Sequence, residues 1–139
     1  MELIVKGCYH HDMKPLLHPD IDNITVEGIL HALSDPVRVA IYADMAGAGC
    51  AQTCSVFLQM VDRSIPKSTL SQHFRTLREA GLIRSERQGV EMLNTTRCGE
   101  IEQRFPGLLP AIMNAHRVQL AQKARTARRK PARNRAGAA

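Results

Sequence analysis

A mainly α fold with a small β-hairpin, a winged helix-turn-helix, is predicted by three adjoining stretches of this 139-residue chain. In residues 66 to 80 a polar face is paired with Leu70, Phe74 and Leu77 at i, i+4 and i+7, the spacing of a helix buried along one side. Just upstream, Val56, Phe57, Met60 and Val61 have the spacing of a short brace helix over 54 to 61, and Asp62 to Ile65 form a tight connection into the next helix. Just downstream the period changes. Residues 82 to 86 and 90 to 94 flank Gln88-Gly89, as two short strands joined by a glycine turn would.

Residues 1 to 22 hold Gly7, Pro15, Pro19 and a cluster of histidines, and are expected to form an arm rather than part of the core. From Asn23, the positions of Ile24, Gly28, Ile29, Ala32 and Leu33 predict a first helix ending at Ser34-Asp35. Pro36 opens a second helix capped by Asp35. Val37, Ala40, Ile41, Asp44 and Met45 mark its mostly aliphatic inner side, and Gly47 and Gly49 close it. Pro66 suits the first turn of the helix over 66 to 80, where its missing N–H has no partner to lose, and Gly81 suits a left-handed stop. Beyond the hairpin, Cys98 to Arg104 reads as one or two helical turns stopped by Pro106-Gly107. A longer helix follows, with Pro110 in its first turn and Leu108, Leu109, Ile112, Met113, His116 and Leu120 on one side. Residues 23 to 122 thus make one domain, while 123 to 139 lack an apolar face and are expected to be a disordered basic tail.

The net charge of +6 is unevenly spread. Residues 1 to 62 carry three basic side chains against eight acidic, residues 63 to 97 seven against three, and residues 117 to 139 eight against none. Most of the excess therefore belongs to the tail, and the helix at 66 to 80 must draw specificity from particular side chains. No apolar run is long enough for a membrane span, and the N-terminus is too acidic for a secretory signal. A cytoplasmic protein with its four cysteines reduced is expected. The chain has no glycine-rich phosphate loop, no nucleophile with a plausible base and no paired carboxylates in an apolar setting, so an enzyme is not expected.

Off the apolar stripe, Lys67, Ser68, Thr69, Ser71, Gln72, Arg75 and Arg78 offer hydroxyls and cations for phosphates, and a Gln and an Arg able to pair at two points with base edges. The run HALSDPVRVAIYADM at 31 to 45, followed by IPKSTLSQHFRTLREAGLIRSERQG at 65 to 89, resembles the ArsR-type (ArsR/SmtB) winged helix-turn-helix repressors of bacteria. The resemblance extends over residues 24 to 113. It implies a homodimer joined through its first and last helices, with helix 66 to 80 in the major groove of double-stranded DNA and the wing along the adjacent backbone. It also implies a repressor released from its operator by a ligand or a chemical modification. Carried over by position, Ser68, Thr69, Ser71, Gln72 and Arg75 fall where the family reads DNA, Lys67 and Arg78 suit phosphates, and Arg87 lies in the wing. His73 matches a histidine common in this motif, placed to hydrogen-bond within the fold or to touch the DNA backbone.

Three roles are open for the cysteines. Cys50 and Cys54 are four apart, so on one helix their sulfurs would point the same way. Zinc or cadmium needs four ligands and arsenite three; Cys8, His10 and His11 of the arm, beside Asp12, could complete such a set. That arrangement is similar to family members that join an N-terminal Cys or His arm to cysteines before the reading helix. The family's usual Cys-x-Cys is absent, however, and Gly49 argues against a helical Cys50. The family's other metal site, on the last helix, is missing, since only His116 stands there without a carboxylate partner. The second role is redox, through a disulfide between cysteines such as Cys54 and Cys98. In the third, Cys54 and Cys98 are small buried hydrophobes and no cofactor is involved. His18 and His31 have no partner evident in the sequence.

A winged-helix protein-interaction module without its own operator is the alternative from a different class. In the tail, Arg125, Arg128, Arg129, Lys130, Arg133 and Arg135 could track phosphates and add salt-sensitive affinity without sequence choice, or simply aid solubility.

Overall fold

The computed structural model describes residues 16 to 48, 52 to 53 and 65 to 129. Within them lie α1 (Val26–Ala32), α2 (Pro36–Ala48), β1 (Gln52–Thr53), α3 (Lys67–Glu79), β2 (Ile83–Gln88), β3 (Glu91–Thr96), α4 (Cys98–Arg104) and α5 (Leu108–Arg129). A 3-10 turn, Ile21–Asn23, precedes α1. The expected brace helix over 54 to 61 and the connection at 62 to 64 lie outside the described residues.

Local chemistry sets the helix starts. The Thr25 hydroxyl accepts the Gly28 N–H at 3.0 Å, so α1 begins after Ile24, which is nonetheless buried. One Asp35 carboxylate oxygen accepts the N–H groups of Val37 (2.8 Å) and Arg38 (3.2 Å), capping α2 as expected. Burial works to raise the Asp35 pKa, but the hydrogen bonds from Arg38 and Val37 outweigh it and hold the carboxyl below its ordinary value. Arg38 closes the previous helix by donating to the carbonyls of Ala32 (2.6 Å) and His31 (3.2 Å), acceptors that a helix end leaves open. Ile41, Tyr42 and Met45 are the buried side of α2, whereas Asp44 is exposed.

These side chains meet Ile29 and Ala32 of α1, Leu70, Phe74 and Leu77 of α3, Leu82, Ile83, Ile101 and Leu109 in a single apolar cluster. The sheet is three-stranded and antiparallel, ordered β1-β3-β2, with Gln52 opposite Asn94 and Ile83 opposite Thr96. The hairpin turns at Gly89, whose φ of +62° suits a residue without a Cβ. β1 is an addition to the expected two strands, because two residues are too few for alternation to reveal. Gln52 and Thr53, between the two thiols in sequence, are extended, while Cys50 and Cys54 themselves lie outside the described residues.

α5 runs to Arg129, past the domain boundary expected at residue 122. Residues 121 to 129 are rich in Ala, Gln, Lys and Arg, strong helix formers that extend the helix without an apolar face to bury. No helix among the described residues is long and apolar enough to cross a membrane.

Candidate nucleic-acid interface

α3 is built as a two-faced rod. Leu70, Phe74 and Leu77 are buried, while Lys67, Ser68, Thr69, Ser71, Gln72 and Arg75 are all exposed. Pro66 sits at the cap position rather than inside the helix, and its carbonyl accepts the Leu70 N–H at 3.0 Å. The first turn of α3 carries no acidic residue, which leaves its outward amides and Lys67 suited to an anion.

The far end is fixed more tightly. The Gly81 N–H donates to the Arg78 carbonyl and the Leu82 N–H to the Leu77 carbonyl, each at 3.0 Å, closing the helix with Gly81 at φ +82°. A Cβ at Gly81 would stand 2.5 Å from the Ile24 side chain, so both the conformation and the close approach call for glycine. The reversal from α3 into the wing is thereby locked.

Arg75 pairs with Glu79 at 2.9 Å on the exposed surface. Such a pair, with the cation on the N-terminal side, stabilises the helix by only a few tenths of a kcal/mol, about 0.3 at most. It is an easy pair to exchange for a base. Arg78, expected at a phosphate, has a contact within the fold. It is half-buried and its guanidinium donates to the Ser85 hydroxyl at 3.2 Å, joining α3 to the wing. Arg84 and Arg87 are exposed on β2, and Arg84 lies 3.7 Å from Glu100. His73 is half-buried on α3.

Beneath the wing lies a polar joint whose long-range partners no local sequence signal pairs. Ser85 and Asn94 are buried opposite each other, and the Ser85 hydroxyl donates to Asn94 Oδ1 at 2.7 Å. Arg97, buried at the start of α4, donates to Glu100 at 2.5 Å and to the Pro19 carbonyl at 2.7 Å. The hydrogen bond from Arg97 is the main reason the Glu100 pKa lies below its ordinary value. His18, expected to lack a partner, accepts the Ser85 N–H at Nε2 at 3.0 Å. That contact spans 67 positions, so local sequence carried no trace of it. Strand alternation did mark Ser85 as inward, two positions after Ile83.

The sensing candidates fare differently. Cys8, His10, His11, Cys50 and Cys54 lie outside the described residues. Cys98 is exposed, with the Thr96 hydroxyl donating to its sulfur at 3.5 Å, and is not the buried hydrophobe that was one option. Among the described residues no group of His, Cys, Asp or Glu is gathered closely enough to hold a metal ion.

Between α2 and α5 the packing is open. One cavity, about 380 Å³, is lined by Tyr42, Ala46, Cys98, Leu109 and Met113; a second, about 440 Å³, by Ala43, Gly47, Met113, His116 and Leu120. Burial pushes the Tyr42 phenol pKa up, and its hydroxyl has no hydrogen-bond partner among the described residues. Asp44 and Arg117 also line the second cavity, so His116 stands in a groove of mixed polarity.

A family described as a helix-turn-helix domain matches residues 33 to 86, from the end of α1 into β2. No curated protein matches the chain. Among solved structures, a crystal structure of an ArsR family transcriptional regulator is similar over 82% of this chain and 99% of its own, at 18% identity and a TM-score of 0.48.

Proposed function

We propose that the chain is a sequence-specific DNA-binding transcriptional regulator of the ArsR-type winged helix-turn-helix form, acting as a homodimeric repressor that an inducer releases; the helix-turn-helix domain matched over residues 33 to 86 supports this reading. The observation that supports it best is the division of α3. Three buried side chains hold the helix while Lys67, Ser68, Thr69, Ser71, Gln72 and Arg75 face outward, and the wing follows directly. In the major groove, Gln72 would pair at two points with adenine and Arg75, leaving Glu79, with guanine, each contributing about 1–3 kcal/mol of discrimination. Lys67 and the hydroxyls of Ser68, Thr69 and Ser71 suit phosphates that set the register, and Arg87 suits the backbone beside the wing.

Exposed apolar side chains support the dimer. Leu30 on α1 and Val118 and Leu120 on α5 are about half exposed, on the two helices expected to meet a second copy. Two copies would present α3 to half-sites about 34 Å apart on one face of the duplex. Release belongs to the same proposal, through a metal or metalloid ion or through oxidation of thiols. Cys50→Ser and Cys54→Ser test it: variants that still release DNA on exposure to arsenite, zinc, cadmium or peroxide as the parent does would remove these two thiols from sensing.

The test of the main proposal is a gel shift at low salt with DNA from the protein's own promoter region. A shifted band that survives excess unrelated DNA is expected. No shift at any protein concentration would favour a protein-interaction module instead.

A further inference from the structure

We propose that His18 is a positioning residue for DNA reading: it clasps residues 16 to 20 onto the outer edge of the wing, fixes the wing against α3, and lets go when protonated. The proposal rests on the regulator function above, since it concerns the geometry of the surface that meets DNA.

The clasp is made of several contacts on one small region. β2 is the edge strand of the sheet, and the N–H of Ser85 is taken up by His18 Nε2 at 3.0 Å. The next residue, Pro19, accepts at its carbonyl from buried Arg97, at the joint between β3 and α4. The Pro19 and Ile24 side chains flank Gly81, the reversal point between α3 and β2. Arg104 donates to the Ile24 carbonyl at 3.0 Å and stands 3.5 Å from Asp22, anchoring the same segment to α4.

Ser85 is where these lines cross. Its N–H binds His18, its hydroxyl donates to Asn94 of β3, and the same hydroxyl accepts from Arg78 of α3. One residue therefore ties the strap, both long strands of the wing and the last turn of the reading helix together. Freeing its N–H loosens a joint that includes buried Asn94 and half-buried Arg78, and polar networks shielded from water weaken as a unit.

Geometry fixes the protonation state. An Nε2 that accepts a hydrogen bond carries no proton, so the neutral imidazole is protonated at Nδ1. Adding a proton at Nε2 would set one donor against another. The charged groups facing it are Arg78 from α3, Arg84 and Glu86 from β2, and Arg97 from the joint, three cations against one carboxylate. Burial first, then these arginines, hold the imidazole pKa below its ordinary value. A lowered pKa means that the docked state disfavours protonation. Docking is thus at full strength above the free histidine value, about 6.5, and weakens as pH falls from there toward the lowered docked value.

The sign separates this device from ordinary electrostatics. Protonating other histidines adds positive charge and strengthens phosphate binding in acid, whereas protonating His18 should weaken sequence-specific binding. The probe is the duplex that the wild-type full-length chain selects from a random-sequence pool, and affinity is measured from pH 7.5 to 5.5. His18→Gln keeps an acceptor without titrating, and is expected to match wild type at pH 7.5 and to bind better than wild type at pH 5.5, by about threefold or more. His18→Ala is expected to weaken binding at pH 7.5 by about fivefold and to speed amide exchange at Ser85, with little change in the melting temperature. Identical pH profiles for wild type and His18→Gln would overturn the proposal, as would wild-type affinity and unchanged Ser85 exchange in His18→Ala. If wild type selects no duplex, the regulator function itself fails; a pH-sensitive Ser85 amide would then show a clasp that positions nothing for DNA.

Discussion

α3 and the distal half of α5 are both polar and basic, yet they are held in opposite ways. α3 is gripped along one side by Leu70, Phe74 and Leu77, closed at its end by Gly81 and tied to the wing through Arg78. From Arg117 to Arg129 every residue of α5 is exposed, and Arg117, Lys123, Arg125, Arg128 and Arg129 project from a helix that persists by propensity. A cation on such a helix attracts phosphate at any sequence. A side chain on a helix held from below and at its end reaches the same point each time, which base-edge recognition requires. Charge by itself does not distinguish the two; the buried side does.

The largest expected effect comes from removing that grip. Phe74→Ala should cost about 3–5 kcal/mol in chemical denaturation, with loss of DNA binding as a consequence; a loss below 1 kcal/mol would mean α3 is not seated as described. Gly81→Ala comes next, at about 2–3 kcal/mol, because it combines positive φ with a Cβ pressed on Ile24. Gln72→Ala should leave stability within about 0.5 kcal/mol of wild type and weaken specific DNA binding by about 1–3 kcal/mol.

Asp35→Ala removes a cap from α2, with an expected loss of about 1 kcal/mol at neutral pH. Since the native carboxyl is held below its ordinary pKa, that contribution is complete above about pH 4 and disappears as pH falls through the lowered value. Wild type and variant should therefore converge in strong acid, and a constant gap would refute the capping role. Smallest in stability is removal of residues 123 to 139. It should flatten the salt dependence of affinity and leave the preferred sequence intact; an unchanged slope would take this segment out of DNA binding.

Periodicity, proline and glycine made most of the fold legible. The stripe of α3, the stop at Gly81, the cap at Asp35 and the break at Gly107 are local signals, and each appears in the structure. What stayed hidden was short or long-range. β1 has too few residues to alternate, and the distal part of α5 has helix-forming residues without the apolar side that would reveal it. The outward face of α3 followed from the stripe opposite it, but the joint around Ser85 did not. His18, Arg78 and the stretch that holds Asn94 and Arg97 come from three separate segments, and only folding brings their hydrogen bonds together.

The difference between the two basic helices can be measured directly by selecting duplexes from a random pool with wild type, Gln72→Ala, Arg75→Ala and the chain shortened at residue 122. Wild type should enrich a defined motif with half-sites about 34 Å apart, the two α3 variants should lose or change preference at particular bases, and the shortened chain should keep the motif. Enrichment that survives both α3 substitutions, or vanishes with residues 123 to 139 alone, would contradict the assignment of sequence reading to α3.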